Sequence, residues 1–166
     1  ARRQHGVATR GQLLRLGISP GTLSRRVRAG RMRRLHRGVY AISPILAPHA
    51  AEMAAVLACG SGALVSHGSA GALWGVVSAM EGAFPVEVVH PGGNARSLPG
   101  VRVHRPVGLL PSDRARVDGI PVTSLPRTLL DLAAVRAAGE LELAVARAAR
   151  EHRLDLRALA RRVVQH

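Results

Sequence analysis

With 166 residues, 47% of them apolar, the chain is long enough for one domain or two small ones and rich enough for a buried core. All 24 basic residues are Arg and none is Lys, which removes chemistries that need an ammonium group: a Walker phosphate loop, a Schiff-base enzyme and the nuclease constellation of two acids followed by Lys. The single Cys59 excludes an internal disulfide and a multi-cysteine zinc site, and no apolar run approaches the roughly 18 residues that span a bilayer, so a cytoplasmic protein without membrane contact is expected.

The net charge of +14 has a bland source in part, because Arg without Lys amid abundant Ala and Gly is what a GC-rich genome produces. Its distribution is more informative. Eleven arginines lie between Arg2 and Arg37, and the first acidic residue is Glu52, so the first 37 residues carry +11 and leave +3 for the remainder. A base-composition bias does not concentrate charge in this way. An N-terminal basic module with phosphate as its partner, joined to a nearly balanced region, is the economical reading.

Ala1 to His5 reads as the last turn of a helix whose beginning is missing, with Ala1 in place of Met pointing to a trimmed N-terminus. Val7 to Thr9 is a short strand suited to pairing with a wing. Thr9 then caps a helix in which Leu13, Leu14 and Leu16 supply the buried side. Gly17 permits a turn. Ser19 caps the next helix and Pro20 occupies its first position, where a missing N–H costs nothing. This helix should run to about Ala29, with Leu23 and Val27 inward and Gly21, Thr22, Arg25 and Arg28 outward. Gly30 stops it, and Arg31 to Ile42 alternates as a hairpin with Leu35, Val39 and Tyr40 among its apolar members. Helix, turn, helix and basic hairpin is the order of a winged helix. Thr22 and Arg25 are assigned to base edges, Ser19, Arg26 and Arg28 to phosphate, and the wing residues Arg31, Arg33, Arg34 and Arg37 to backbone or minor groove, with Arg33 or Arg34 alternatively covering the hairpin stem.

Ser43 to Pro48, with two prolines and no charge, is the expected linker, placing a winged helix-turn-helix in residues 1–43 and an α+β region in residues 48–166. Beyond it, His49 to Cys59 has helical spacing at Met53, Val56 and Leu57. Ala63 to Val65 is a short buried strand. Ser66 to Gly75 is a short helix with Leu73 and Trp74 inward. Val86 to His90 and Val101 to His104 are paired strands. Asp118-Gly119 between Arg114–Val117 and Ile120–Thr123 signals a hairpin. Helices follow over Ser124 to Ala134, with Leu129, Leu130 and Leu132 as core, then Ala138 to Arg150, and finally Leu156 to Val164.

The eight histidines include no HxxxH or HxH pair. His67 beside Ser66 and Ser69, and His90 and His104 on neighbouring strands, are the suggestive groupings, and the structural reading is preferred for them: Ser66 caps its helix, the histidines hydrogen-bond at the surface or edge, and Trp74 is core. No catalytic residue, metal site or cofactor is expected.

The segments HGVATRGQLLRLGIS, RRVRAGRMRRLHRGVYAI, ALVSHGSAGALWG and DGIPVTSLPRTLLDLA together resemble actinobacterial proteins related to AbiEi, the antitoxin of type IV toxin–antitoxin, or abortive-infection, systems. The resemblance implies an N-terminal winged helix that binds operator DNA, followed by a domain that antagonises a nucleotidyltransferase-like toxin. It places DNA contact on Ser19 to Arg28 and on Arg31 to Arg37. The reading is therefore an α+β protein, a winged helix-turn-helix followed by a mixed α/β domain with a small sheet and C-terminal helices, expected to act as a sequence-specific regulator and autorepressing antitoxin. Its partners are double-stranded operator DNA and a nucleotidyltransferase-like toxin. The alternative is a DNA-targeting segment of a larger protein whose nuclease-like effector is absent; a small hydrolase built on the histidine-bearing region is a third class.

Overall fold

The computed structural model describes residues 4–78, 85–92, 98–106, 108–152, 154 and 159–160. It is a mixed α and β protein, with two small sheets and six helices among the described residues. Most of the helix expected from Leu156 to Val164 lies outside the described residues, as does the start of the turn expected at Ala1 to His5.

The N-terminal part consists of β1 (Val7–Thr9), α1 (Arg10–Arg15), α2 (Pro20–Arg28), β2 (Arg33–His36) and β3 (Val39–Ala41). The three strands form an antiparallel sheet in the order β1-β3-β2, with Val7 opposite Ala41 and Thr9 opposite Val39. Strand residues alternate between faces, and here both faces are covered. Ala8 and Tyr40 point toward the helices, joining Leu13, Ile18, Leu23, Val27 and Met32 in a small core. Val7 and Val39 point the other way, into the main core.

What covers that second face is α3 (Ala50–Cys59), which packs on all three strands. Ala50, Met53, Ala54, Ala55 and Val56 are all buried, so α3 is apolar nearly all round and is enclosed rather than amphipathic. Its other side meets the second sheet. Residues 43–48 connect β3 to α3 without a regular element.

The second sheet has five strands in the order β6-β5-β4-β8-β7: β4 (Leu64–Val65), β5 (Val86–Val89), β6 (Val101–His104), β7 (Arg114–Val117) and β8 (Ile120–Thr123). The β4–β8 and β5–β6 pairs are parallel and the other pairs antiparallel. Asp118 and Gly119 both take positive φ, 50° and 83°, as the two-residue turn between β7 and β8 requires. α4 (His67–Leu73) packs on β5 and on α5 (Leu125–Ala133), and α6 (Ala138–His152) covers α5 through Ala144 and Ala148. Leu129 and Leu132 are buried, while Leu130 is half-buried.

Two local expectations are corrected. Leu16 is 78% exposed instead of lying on the buried side of α1, because that helix stops at Arg15 and Leu16 is its C-cap. Ser66 stands at the N-cap of α4, yet its side chain caps nothing. Glu87 from β5 takes that role, its Oε2 accepting the Gly68 N–H at 2.9 Å.

Candidate nucleic-acid interface

The geometry of α1 and α2 follows from their caps. Thr9 accepts the Gln12 N–H at 3.2 Å while the Gln12 side chain accepts the Thr9 N–H at 2.8 Å, a reciprocal capping box. Ser19, in extended conformation, accepts the Thr22 N–H at 3.2 Å, and Pro20 opens α2. The Ser19 hydroxyl also donates to Thr22 Oγ1 at 3.1 Å, leaving the Thr22 hydroxyl proton free to donate elsewhere. Leu23 is buried and Val27 half-buried, which turns Gly21, Ser24, Arg25 and Arg28 outward. Arg25, Arg26 and Arg28 occupy the last turn, where cations complement the helix macrodipole. Gly30, at φ 69°, reverses the chain, and the Arg31 and Met32 amides return to the Arg26 carbonyl.

The wing is short. Strands β2 and β3 meet through a two-residue turn, Arg37-Gly38, and a bulge between Arg34 and His36 displaces Leu35 from regular pairing and into the main core. Arg31, Arg33, Arg34 and Arg37 are all exposed, so neither Arg33 nor Arg34 is buried over the stem. Burial lowers the His36 pKa below its ordinary value, so arginines alone charge the wing at neutral pH. The turn is tied to the first helix by the Arg10 N–H, which donates to the Gly38 carbonyl at 2.7 Å. Among the described residues, none of the arginines from Arg10 to Arg37 is ion-paired with a carboxylate. Among the described residues no carboxylate compensates this basic surface, as a phosphate-binding surface requires.

The second grouping of interest behaves differently. His67 is 8% exposed, takes a left-handed φ of 49°, and holds Ser66 Oγ at 3.0 Å through Nδ1. Its ring stacks on His104 with centroids 3.7 Å apart and planes at 16°. Desolvation lowers its pKa, with His104 and Arg127 acting in the same sense and Asp131 and Glu87 opposing. His67 is therefore a buried neutral ring, not a surface residue as its sequence context suggests. His104 bonds Glu87 at 3.2 Å, and Glu87 also pairs with Arg102 at 3.7 Å. Beneath α5, Arg127 pairs with Asp131 at 2.8 Å and with Asp113 at 3.6 Å, and all three are buried. Trp74 donates to the Thr123 carbonyl at 3.0 Å and packs against both larger cores. No group of three metal-ligating side chains occurs among the described residues.

A short strand, two capped helices joined by a glycine turn, and a two-stranded basic hairpin paired to that first strand define a winged helix-turn-helix. Residues 1–43 match the family model of the transcriptional regulator, AbiEi antitoxin, so the resemblance read from the sequence holds for this winged helix. No curated protein matches the chain. Among the described residues no helix is long and apolar enough to cross a membrane.

Proposed function

We propose that the protein is a sequence-specific DNA-binding transcriptional regulator, the autorepressing antitoxin of a type IV toxin–antitoxin system. The observation that carries this reading is the winged helix itself: a family match over residues 1–43 coincides with an exposed arginine surface on α2 and the wing. In this reading the first turns of α2 enter the major groove. Thr22 and Arg25 meet base edges, Ser19, Arg26 and Arg28 meet phosphate, and Arg31, Arg33, Arg34 and Arg37 hold the backbone or minor groove. Residues 48–166 would antagonise a nucleotidyltransferase-like toxin, with the division of labour falling at the Ser43–Pro48 connection. Packing of α3 on one face of the wing sheet supports a foldable unit larger than the DNA-reading unit.

Binding to the DNA upstream of the protein's own gene tests the proposal. Affinity should fall with salt along a log–log slope of magnitude roughly 4 to 8, as neutralising about five to nine phosphates requires. A slope near zero, or equal affinity for unrelated duplexes, rejects it.

A further inference from the structure

Ser19 and Thr22, on either side of Pro20 and Gly21, hold their hydroxyls in one fixed order. The Ser19 Oγ accepts the Thr22 N–H at 3.2 Å, which turns a lone pair toward the helix, and its proton goes to Thr22 Oγ1 at 3.1 Å. A hydroxyl cannot donate along the line on which it accepts, so the Thr22 proton points away from Ser19. Among the described residues no hydrogen bond takes that proton, and no acidic residue stands in the first turn of α2. Thr22 is half-buried rather than enclosed, so the proton is open to a partner. Accepting one hydrogen bond also strengthens a hydroxyl as donor in the next. Gly21 keeps the approach open. It has no positive φ and nothing within 4 Å of where a Cβ would stand, so neither conformation nor packing calls for glycine there.

We infer that Ser19 and Thr22 form a directed relay whose last proton is given to an acceptor on a base edge, purine N7, guanine O6 or thymine O4, an inference that rests on the DNA-binding reading above. Base amino groups, which need an acceptor, are disfavoured in that place. Ser19 is a positioning residue, since its donated proton fixes which way the Thr22 hydroxyl faces. With that proton committed, a phosphate contact by Ser19 falls to its backbone N–H.

The test compares wild type with Thr22→Val, Thr22→Ser and Ser19→Asp for affinity on the upstream operator and on a random duplex. Thr22→Val keeps the side-chain shape without the proton, and Thr22→Ser keeps the proton. Ser19→Asp keeps a good helix cap but accepts the Thr22 proton instead of supplying one. The ratio of operator to random affinity should fall by about tenfold in Thr22→Val and in Ser19→Asp, the scale of one mismatched base pair, and stay near wild type in Thr22→Ser. Operators carrying base analogues that lack a single N7, O6 or O4, one position at a time, locate the acceptor. One such deletion should reproduce the loss in wild type and add nothing in Thr22→Val. A Thr22→Val ratio equal to wild type, or losses that add at every position, overturns the relay and leaves the DNA-binding reading intact. A Ser19→Asp ratio equal to wild type overturns the orienting part of Ser19. If wild type fails to bind its operator, the reading and the relay fall together.

Discussion

The imidazole of His67 lies flat against that of His104, 3.7 Å away, at the point where α4 leaves β4 and crosses β5. Burial desolvates His67, with the neighbouring His104 acting in the same sense. Its folded pKa lies below the ordinary 6.5, so the unfolded chain takes up a proton more readily. Stability should be level above that ordinary value and fall as pH drops below it, by at most about 1.4 kcal/mol per pH unit from this one group. Burial of His36 acts in the same sense. His67→Asn, which tolerates the left-handed φ, should show a shallower acid slope in urea unfolding between neutral and mildly acid pH. Equal slopes in variant and wild type would contradict a buried neutral His67.

Reading and positioning should separate on the DNA surface. Arg25→Ala should lose roughly 1 to 3 kcal/mol on the operator and relax its sequence preference, whereas Arg34→Ala should weaken specific and random DNA alike. Competition binding against a panel of single-base operator changes distinguishes them. If both variants scale every sequence equally, Arg25 does not read a base.

Glu87 gathers the Gly68 amide, His104 and Arg102 on one carboxylate. Glu87→Ala should leave the Gly68 N–H without its acceptor and cost about 1 to 2 kcal/mol, the range for loss of a helix cap. The melting temperature measures this directly. Ser66→Ala tests a different bond: its buried hydroxyl caps nothing but holds His67 Nδ1, so its loss should also cost about 1 to 3 kcal/mol.

The main core contains Val7 and Val39 from the first sheet together with Val65, Val88, Ile120 and Val122 from the second, joined through α3. Fully exposing a valine costs about 1.5 to 3 kcal/mol, a large share of a typical 5 to 15 kcal/mol stability. The winged helix should therefore melt with the rest of the chain. Unfolding followed by Trp74 fluorescence, a probe of the second part, should coincide with loss of helix circular dichroism and of DNA binding. Two separated transitions would refute the coupling. Likewise Ala55→Leu, in the enclosed side of α3, should destabilise by about 1 to 3 kcal/mol through overpacking.

Signals that act within four residues were fully legible in the chain. Thr9 before α1, Ser19 with Pro20, Gly30 after α2 and the Asp118-Gly119 turn each satisfy or release backbone groups nearby, and each stands where the sequence places it. The concentration of arginine before Arg37 was equally plain, because charge is read by counting. Tertiary structure alone decided the rest. Leu16 has the spacing of a core residue but falls past the end of a six-residue helix. Arg127 and Asp131 are charged residues of α5 that are nonetheless buried, where Asp113, from a turn ahead of β7, supplies a second carboxylate. His67 is neutral because packing desolvates its ring, and Arg10 meets the wing because β1 pairs with β3. Each of these depends on partners distant in the chain. Burial and electrostatic environment are properties of what surrounds a group in space, and local periodicity carries no information about which distant strand or helix arrives there.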